Sequence, residues 1–390
     1  MTLLSRIYAF GFFWMFLVII PVMVPFFQSL GLSMENIFQL QAIFGVGVML
    51  FEVPTGYLCD YFGRKKVLVT GAILNGIGFT LLFGAKTFLE LAGFEVILAA
   101  GASLVSGADL SLIYDAIEVE GGSRTHKTHA IANLQMSQVS GEATASILGG
   151  LLAALSFRHV LLANLLTSWI PLLIALSFKA PPYKRIKGGN HFKNLARVIR
   201  HVLRGDPFLR VIFLNLLCWG LSTFFAVWIF QKYWQQQGIA LGWFGAIWAG
   251  FNISVGIIGK QVHRIEKRFG AKPLLIFLAL APVAGYFGMA ALSGWVGVLV
   301  GILFYLSRGI THVLLREAYN ARIPSEFRAT ANSLIAGCFR LVFAIFGPLV
   351  GFVIDRSGIT TALVGLGVVF GGLLLVLMPA MLRGHLSKHG

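Results

Sequence analysis

Charge is scarce in this chain. Asp, Glu, Lys and Arg make up 12% of its 390 residues against 57% hydrophobic residues, and the mean hydropathy is +0.82. So little polar material cannot clothe a surface in water, which excludes a soluble globular protein. Acids are scarcest, 15 against 31 basic residues, leaving a net charge of +16. Cysteine is nearly absent too. Cys59, Cys218 and Cys338 lie far apart, which excludes a disulfide framework and a cysteine-built metal site. No Gly-x-x-x-x-Gly-Lys-Ser/Thr sequence occurs, so no P-loop ATPase domain drives the molecule. The sequence shows no nucleophile, base and orienting group of the kind an enzyme needs, and no repeated pore loop that would build a channel's selectivity ring. His126-x-x-His129 lacks acidic or cysteine partners at ligand spacing, so neither a metal nor another cofactor is expected.

What is present is a series of apolar runs without strand-like alternation. In hydrocarbon only helices and closed barrels satisfy the backbone, and runs of this kind predict spanning helices. At about 20 residues per span, twelve spans use about 240 residues and leave short loops. The runs place helices near 7–28, 36–58, 67–86, 91–115, 129–154 and 159–178, then near 208–230, 241–262, 273–293, 295–315, 329–353 and 359–382. The expected fold class is an all-α integral membrane protein with twelve transmembrane helices, in two pseudo-symmetric six-helix bundles around a central cavity. Residues 1–178 form the N-terminal bundle, 179–207 a cytoplasmic linker and 208–390 the C-terminal bundle. The linker opens with Pro181-Pro182 and holds an amphipathic run from Phe192 to Leu203, whose basic face suits the anionic inner leaflet of the bilayer. The first apolar run exceeds a signal-peptide core and reads as a retained helix.

The basic excess is a topology signal, not a nucleic-acid footprint. With the N-terminus inside, the inner loops carry Arg6, Arg64 to Lys66, Arg124, Lys127, the set from Lys179 to Arg210, Lys260 to Lys272, Arg316 to Arg328, Arg383 and Lys388. The outer loops carry only Lys86, Arg158, Lys232 and Arg356. This asymmetry satisfies the positive-inside rule and places the chain in a cell inner (plasma) membrane with both termini cytoplasmic.

An internal repeat accompanies the two halves. Phe62-Gly63-Arg64-Lys65 after the second helix recurs as Phe269-Gly270-Ala271-Lys272 after the eighth, with Lys267 where the first copy has Asp60. A further echo, Gly351-x-x-x-Asp355-x-x-Gly358, falls on the outer side between helices 11 and 12. Over its whole length the chain resembles the major facilitator superfamily, through its helix count, its central linker and the loop Gly56-x-x-x-Asp60-x-x-Gly63-Arg64-Lys65. Glu52-Val53-Pro54-Thr55-Gly56 and Ile323-Pro324-Ser325-Glu326-Phe327-Arg328-Ala329-Thr330 are similar to its drug-exporter-like members. The resemblance implies alternating access by rocking of the two halves, with Asp60 latching onto the cytoplasmic start of helix 11 and Gly56 and Gly63 allowing close helix approach. Helix-dipole physics supports that latch, with Arg328 in reach of Asp60 and Arg64 holding the loop inside. The chain departs from the proton-coupled exporters in two places: Ser103 stands where they carry an Arg four residues before a Gly, and helix 5 reads Gly141-Glu142-Ala143-Thr144-Ala145-Ser146 rather than Gly-Pro-rich.

A charge at mid-bilayer costs about 2.5–3.5 kcal/mol on insertion scales, so the membrane-embedded polar residues are the site candidates. Helical spacing groups Gln135, Gln138, Glu142 and Ser146 on helix 5, Tyr305, Arg308 and His312 on helix 10, Ser333, Gly337 and Arg340 on helix 11, and Trp248 with Asn252 on helix 8. Asp109 on helix 4 and Glu52 on helix 2 join them, Glu52 serving either the site or the neighbouring hinge loop. Acids therefore belong to the first half and Arg308, Arg340 and His312 to the second. One reading makes Arg308 and Arg340 a clamp for a substrate anion, with Glu142 or Asp109 taking a proton or a cationic group. The other makes these residues inter-half salt bridges. Glu95 lies near the outer end of its helix, within reach of headgroups, and Trp219, Trp228, Trp243 and Trp295 read as interfacial anchors. The expected function is secondary transport of a small organic solute, amphipathic or anionic, coupled to a proton or another ion, by a monomer that binds no nucleic acid. Export is favoured by the resemblance alone, and import or uncoupled facilitation of an organic anion is the alternative.

Overall fold

The computed structural model describes residues 2–119, 124–178, 206–324 and 327–386. Among these the structure is helical and without strands. Its elements are α1 (Leu3–Trp14), α2 (Met23–Ser29), α3 (Met34–Phe62), α4 (Arg64–Gly84), α5 (Phe88–Val105), α6 (Ala108–Val119), α7 (Arg124–Ala153), α8 (Phe157–Ser168) and α9 (Ile170–Leu176). They continue with α10 (Pro207–Gln236), α11 (Leu241–Phe269), α12 (Ala271–Ala291), α13 (Gly294–Val300), α14 (Ile302–Ile310), α15 (Arg316–Ala321), α16 (Arg328–Ser357) and α17 (Ile359–Leu386). The linker 179–207 lies outside the described residues except for its last two.

Ten described helices are long and apolar enough to cross a membrane. Two further spans of the predicted twelve fail that measure for visible reasons. The first is broken after Trp14 and resumes in a short 3-10 turn at Ile20–Val22 and in α2. The fifth, α7, carries Gln135, Gln138 and Glu142 along its length. With these, the twelve-helix membrane fold stands.

Breaks within spans are where the structure departs from the periodicity reading. The predicted fourth helix is two, α5 and α6, separated at Gly107, whose φ of +82° only glycine adopts cheaply. The sixth is interrupted at Trp169, just before Pro171. The tenth passes from α14 through a π-helical turn at Thr311–Leu315 into α15. In hydrocarbon, freed backbone groups must find partners. Asn164 supplies one, its Oδ1 accepting the N–H of Ile19 at 3.1 Å in the broken first span.

The chain divides into two compact units. One holds the chain up to Leu32, the helices from Gln39 through α9, and Ala240–Ala249. The other holds Ser33–Phe38, α10 through Ile239, and Gly250 onwards. Within the first, α4 packs on α5 by close backbone approach. A Cβ at Gly71 would lie 2.7 Å from Val105, and one at Gly76 would lie 2.6 Å from the Trp169 ring. Small residues at helix contacts are how membrane helices gain dispersion without a hydrophobic drive. Asn75 Nδ2 donates to the Ser168 carbonyl at 3.1 Å, securing α4 to α8. Within the second unit α12 packs against α17 and α14, with Ser307 Oγ donating to the Leu278 carbonyl at 2.6 Å.

The repeated loops share a backbone. Gly63 (φ +86°, ψ 148°), Gly270 (φ +80°, ψ 168°) and Gly358 (φ +84°, ψ 160°) each stand between two long helices in nearly the same left-handed extended conformation.

Candidate functional site

In the second unit, Arg308 lies in the last turn of α14 and His312 four residues on, in the π-helical turn. Both side chains are exposed, on the wall of a cavity of about 120 Å³ completed by Trp219, Gly220, Thr223, Phe224 and Val227 of α10, Thr311, and Phe339 of α16. An apolar cavity of about 150 Å³ takes a benzene ring, so this one has the size of a compact headgroup or ring. The Phe224 and Phe339 rings meet edge to face with centroids 5.0 Å apart. Thr311 Oγ1 is buried and has no hydrogen-bond partner among the described residues. A buried hydroxyl left unpaired costs about 1–3 kcal/mol, a cost a polar ligand atom would relieve. The π-turn matters because one wider turn rotates the residues after it relative to those before, and such turns recur at functional sites.

Trp219 is not the interfacial anchor its position suggested. It is fully buried, its Nε1 donating to Asn215 Oδ1 at 2.8 Å one turn away. Tyr305 is buried in an aromatic cluster, 5.2 Å from the Phe251 ring and stacked on Phe230. Arg340 is half-buried on α16 and is not a wall of the cavity, although its neighbour Phe339 is. Asn252 is half-buried on α11. A larger cavity of about 660 Å³ lies along α10, α16 and α17, but its walls, including Leu221, Phe225, Phe346, Val369 and Phe370, carry no charged group.

In the first unit, Glu142 Oε1 accepts the indole N–H of Trp248 at 3.2 Å. Close backbone approach makes this possible: a Cβ at Gly150 would lie 2.8 Å from the Gly242 carbonyl oxygen and the Gly245 nitrogen. Gln138, one turn before Glu142, is half-buried and packs near Gly11. Asp109 stands in the first turn of α6, directly after the Gly107 break, its Oδ1 accepting the Leu110 N–H at 2.7 Å. A carboxylate there meets the positive end of a helix dipole. Glu52 is half-buried on α3. Glu95 departs furthest from expectation. It is 2% exposed rather than reaching headgroups, with its Oε1 accepting Gln41 Nε2 at 2.9 Å.

Of the hinge-loop residues, Gly56 and the Asp60 side chain lie outside the described residues. Gly63 caps α4, and Arg64 Nε pairs with Asp115 Oδ2 at 2.8 Å, tying the loop to α6. Arg328 Nε donates to the Asn320 and Ile323 carbonyls at 2.9 and 3.1 Å, so it binds the exposed end of α15.

Spacing alone does not single out Thr223, Phe224, Thr311 or Phe339. An aromatic or threonine in an apolar helix carries no mark of function until a partner helix faces it. The one usable trace was Trp219, Thr223 and Val227 recurring every fourth residue on α10.

The sequence profile of the Major Facilitator Superfamily matches residues 2–346. The chain belongs to the major facilitator superfamily. Multidrug resistance protein 2 of Bacillus subtilis (strain 168) is 26% identical over 350 residues, 85% of this chain and 83% of that protein. The probable sulfoacetate transporter SauU of Cupriavidus necator is 23% identical over 382 residues, 87% of this chain and 85% of that one. Among solved structures, a mutant of the nucleoside transporter NupG superposes with a TM-score of 0.81 at 14% identity, covering 98% of this chain and 99% of its own. A D-xylose-proton symporter gives a TM-score of 0.73 at 13% identity, covering 96% of each chain. The profile match shows the family and the superpositions show its fold. The superfamily relatives are transporters, not enzymes, and the chain is a multi-pass membrane transporter of small molecules.

Proposed function

We propose that the chain is a secondary active transporter of the inner membrane that exports a small organic solute with an anionic group, by alternating access and coupled to an ion gradient. The observation that carries this reading is the second-unit cavity, lined by Arg308 and His312 with Trp219, Phe224 and Phe339, where Thr311 Oγ1 lacks a partner among the described residues. Arg offers planar, fixed donors for a carboxylate or sulfonate, and the rings and threonines suit the organic body. Arg340, Glu142 and Asp109 complete the candidate set. Residues 1–178 and 208–390 are the two moving bodies, with Asp60 as inner latch and the positive-inside charge pattern holding both termini in the cytoplasm. The relative named for multidrug resistance favours export. The relative named as a probable sulfoacetate transporter favours the second reading, uptake or uncoupled facilitation of an organic anion.

The test is counterflow of radiolabelled benzenesulfonate and benzoate in proteoliposomes, beside a neutral pentose. The aromatic anions are expected to exchange and the pentose not. Arg308→Ala is expected to weaken anion affinity about tenfold or more, and Arg308→Lys less, since a hydrogen bond to a charged group is worth about 1.5–3 kcal/mol. Equal exchange of the pentose, or an unchanged affinity in Arg308→Ala, would discard the anion site.

A further inference from the structure

Glu95 is the most completely buried acid of the described residues, and the candidate site above does not use it. It lies on α5, about two turns in from the helix start at Phe88, at the level where the Phe94 ring meets Phe79 of α4 at 5.5 Å. Its polar partner among the described residues is the Gln41 amide of α3. Around that pair the two helices touch closely. A Cβ at Gly47 would lie 2.8 Å from the Ala99 side chain, and Ser103 Oγ donates to the Val48 carbonyl at 3.3 Å.

The charged groups on the elements packed about Glu95 are all distant along their helices. On α3, Glu35 stands about 9 Å from Gln41 along the axis and Glu52 about 16 Å, at 1.5 Å per residue. On α4, Arg64, Lys65 and Lys66 lie about 18 Å or more below the level of Gly78, which packs on Phe94. On α5 itself Glu90 is turned to its capping box with Thr87, and Lys86 is exposed in the preceding turn. On α6, Asp109 is about 20 Å away along the span and Asp115 is paired with Arg64. Among the described residues, therefore, no cation stands beside Glu95. A bilayer-buried acid is paired with a cation, hydrated, or neutralised by a proton, and is kept there for a reason. Among the described residues no cation is at hand, and Gln41 offers Glu95 a neutral donor, which leaves a proton as the neutralising ligand.

We propose that Glu95, seated on Gln41, is the proton-binding site through which this carrier couples solute movement to a proton gradient; this rests on the secondary-transport reading above. A proton from water on one side bonds to a carboxyl oxygen while Gln41 goes on donating to Oε1. When the α3–α5 contact at Gly47 and Ala99 loosens toward the other side, the O–H bond breaks and the proton returns to water, leaving the carboxylate. No other bond changes. Gln41 is the positioning residue, a neutral donor that serves both charge states without supplying a permanent counter-ion.

The test begins with infrared difference spectra between acid and alkaline buffer on the purified full chain in lipid. The wild type is expected to show a carboxylic-acid C=O band that comes and goes with pH. Glu95→Gln removes it, Glu142→Gln and Asp109→Asn keep it, and Gln41→Leu shifts its frequency by removing the amide donor. A band undiminished in Glu95→Gln, or no pH-dependent band in the wild type, overturns the proposal. These spectra need no solute, so they stand apart from whether the chain transports one. The second arm uses benzenesulfonate in proteoliposomes. Glu95→Gln is expected to lose accumulation driven by an imposed pH gradient at least tenfold while keeping counterflow. Loss of both in a protein that melts like the wild type, or retention of both, would remove Glu95 from coupling. If the wild type itself moves no anion while the band behaves as expected, it is the transport reading that has failed.

Discussion

The carboxylate of Asp355 receives the backbone N–H of Glu35 at 2.8 Å, and its other oxygen receives that of Met34 at 3.0 Å. Asp355, near the end of α16, thereby caps the start of α3, a helix 320 residues earlier in the chain. Gly351 permits the approach, because any side chain there would strike the Glu35 backbone. A side-chain cap of this kind is worth about 0.5–2 kcal/mol, with a dipole contribution in the same direction. Asp355→Ala is expected to lower the melting temperature of the purified protein, and Asp355→Asn to recover part of the loss. An unchanged melt in Asp355→Ala would show that water replaces the cap at no cost.

The Trp248 indole and Glu142 form the corresponding polar contact of the first unit. Trp248→Phe keeps the ring and removes the N–H, at an expected cost of about 1 kcal/mol. If the bond holds in lipid, Glu142→Ala costs less in the Trp248→Phe background than in the wild type. Strict additivity of the two changes in chemical or thermal unfolding would contradict it.

Gly76 lies against the Trp169 ring with no room for a Cβ. Gly76→Leu is expected to destabilise by about 1–3 kcal/mol through overpacking and to reduce the yield of folded protein. Trp169→Ala in the same chain should restore part of it. No rescue would mean that the backbone, not the ring, sets the limit.

Arg64 and Asp115 are mostly buried, with side-chain exposures of 15% and 20%. A double-mutant cycle with Arg64→Ala and Asp115→Ala is expected to give a coupling energy of about 0.5–3 kcal/mol. A value near zero, measured by unfolding of the four proteins, would reduce the contact to a charge held by topology alone.

Much of this architecture is legible in the sequence because lipid imposes simple rules. Spans need length and apolarity, and loops reveal their side by charge. Gly56 to Lys65 marked both the family and the turn that Arg64 now ties to Asp115. The breaks were not legible. The gap at Met15 to Ile19 is bridged by turns and by Asn164, far along the chain, which offers its amide oxygen to Ile19, and no local pattern announces a distant acceptor. Glu95 was misplaced for a related reason. Depth can be estimated from position in a span, but burial depends on which neighbour faces the residue, and no spacing announces that Gln41 of another helix faces Glu95. Arg308 and His312 stood out as polar residues spaced four apart, whereas the π-turn that holds His312 and the rings opposite came from packing.

The three glycines at 63, 270 and 358 bear on how this chain should be compared with itself. Their side-chain surroundings have diverged, to the point that Lys267 occupies the place of Asp60, yet the backbone at each keeps one shape. An L-residue can hardly enter that conformation, so mutation can erase the neighbours of these glycines far more easily than the glycines themselves. Alignments of one half of the protein on the other, or of remote relatives on either, are therefore better anchored on these turns than on residue identity, and the ancestry of the fold is recorded there in geometry after the letters have been overwritten.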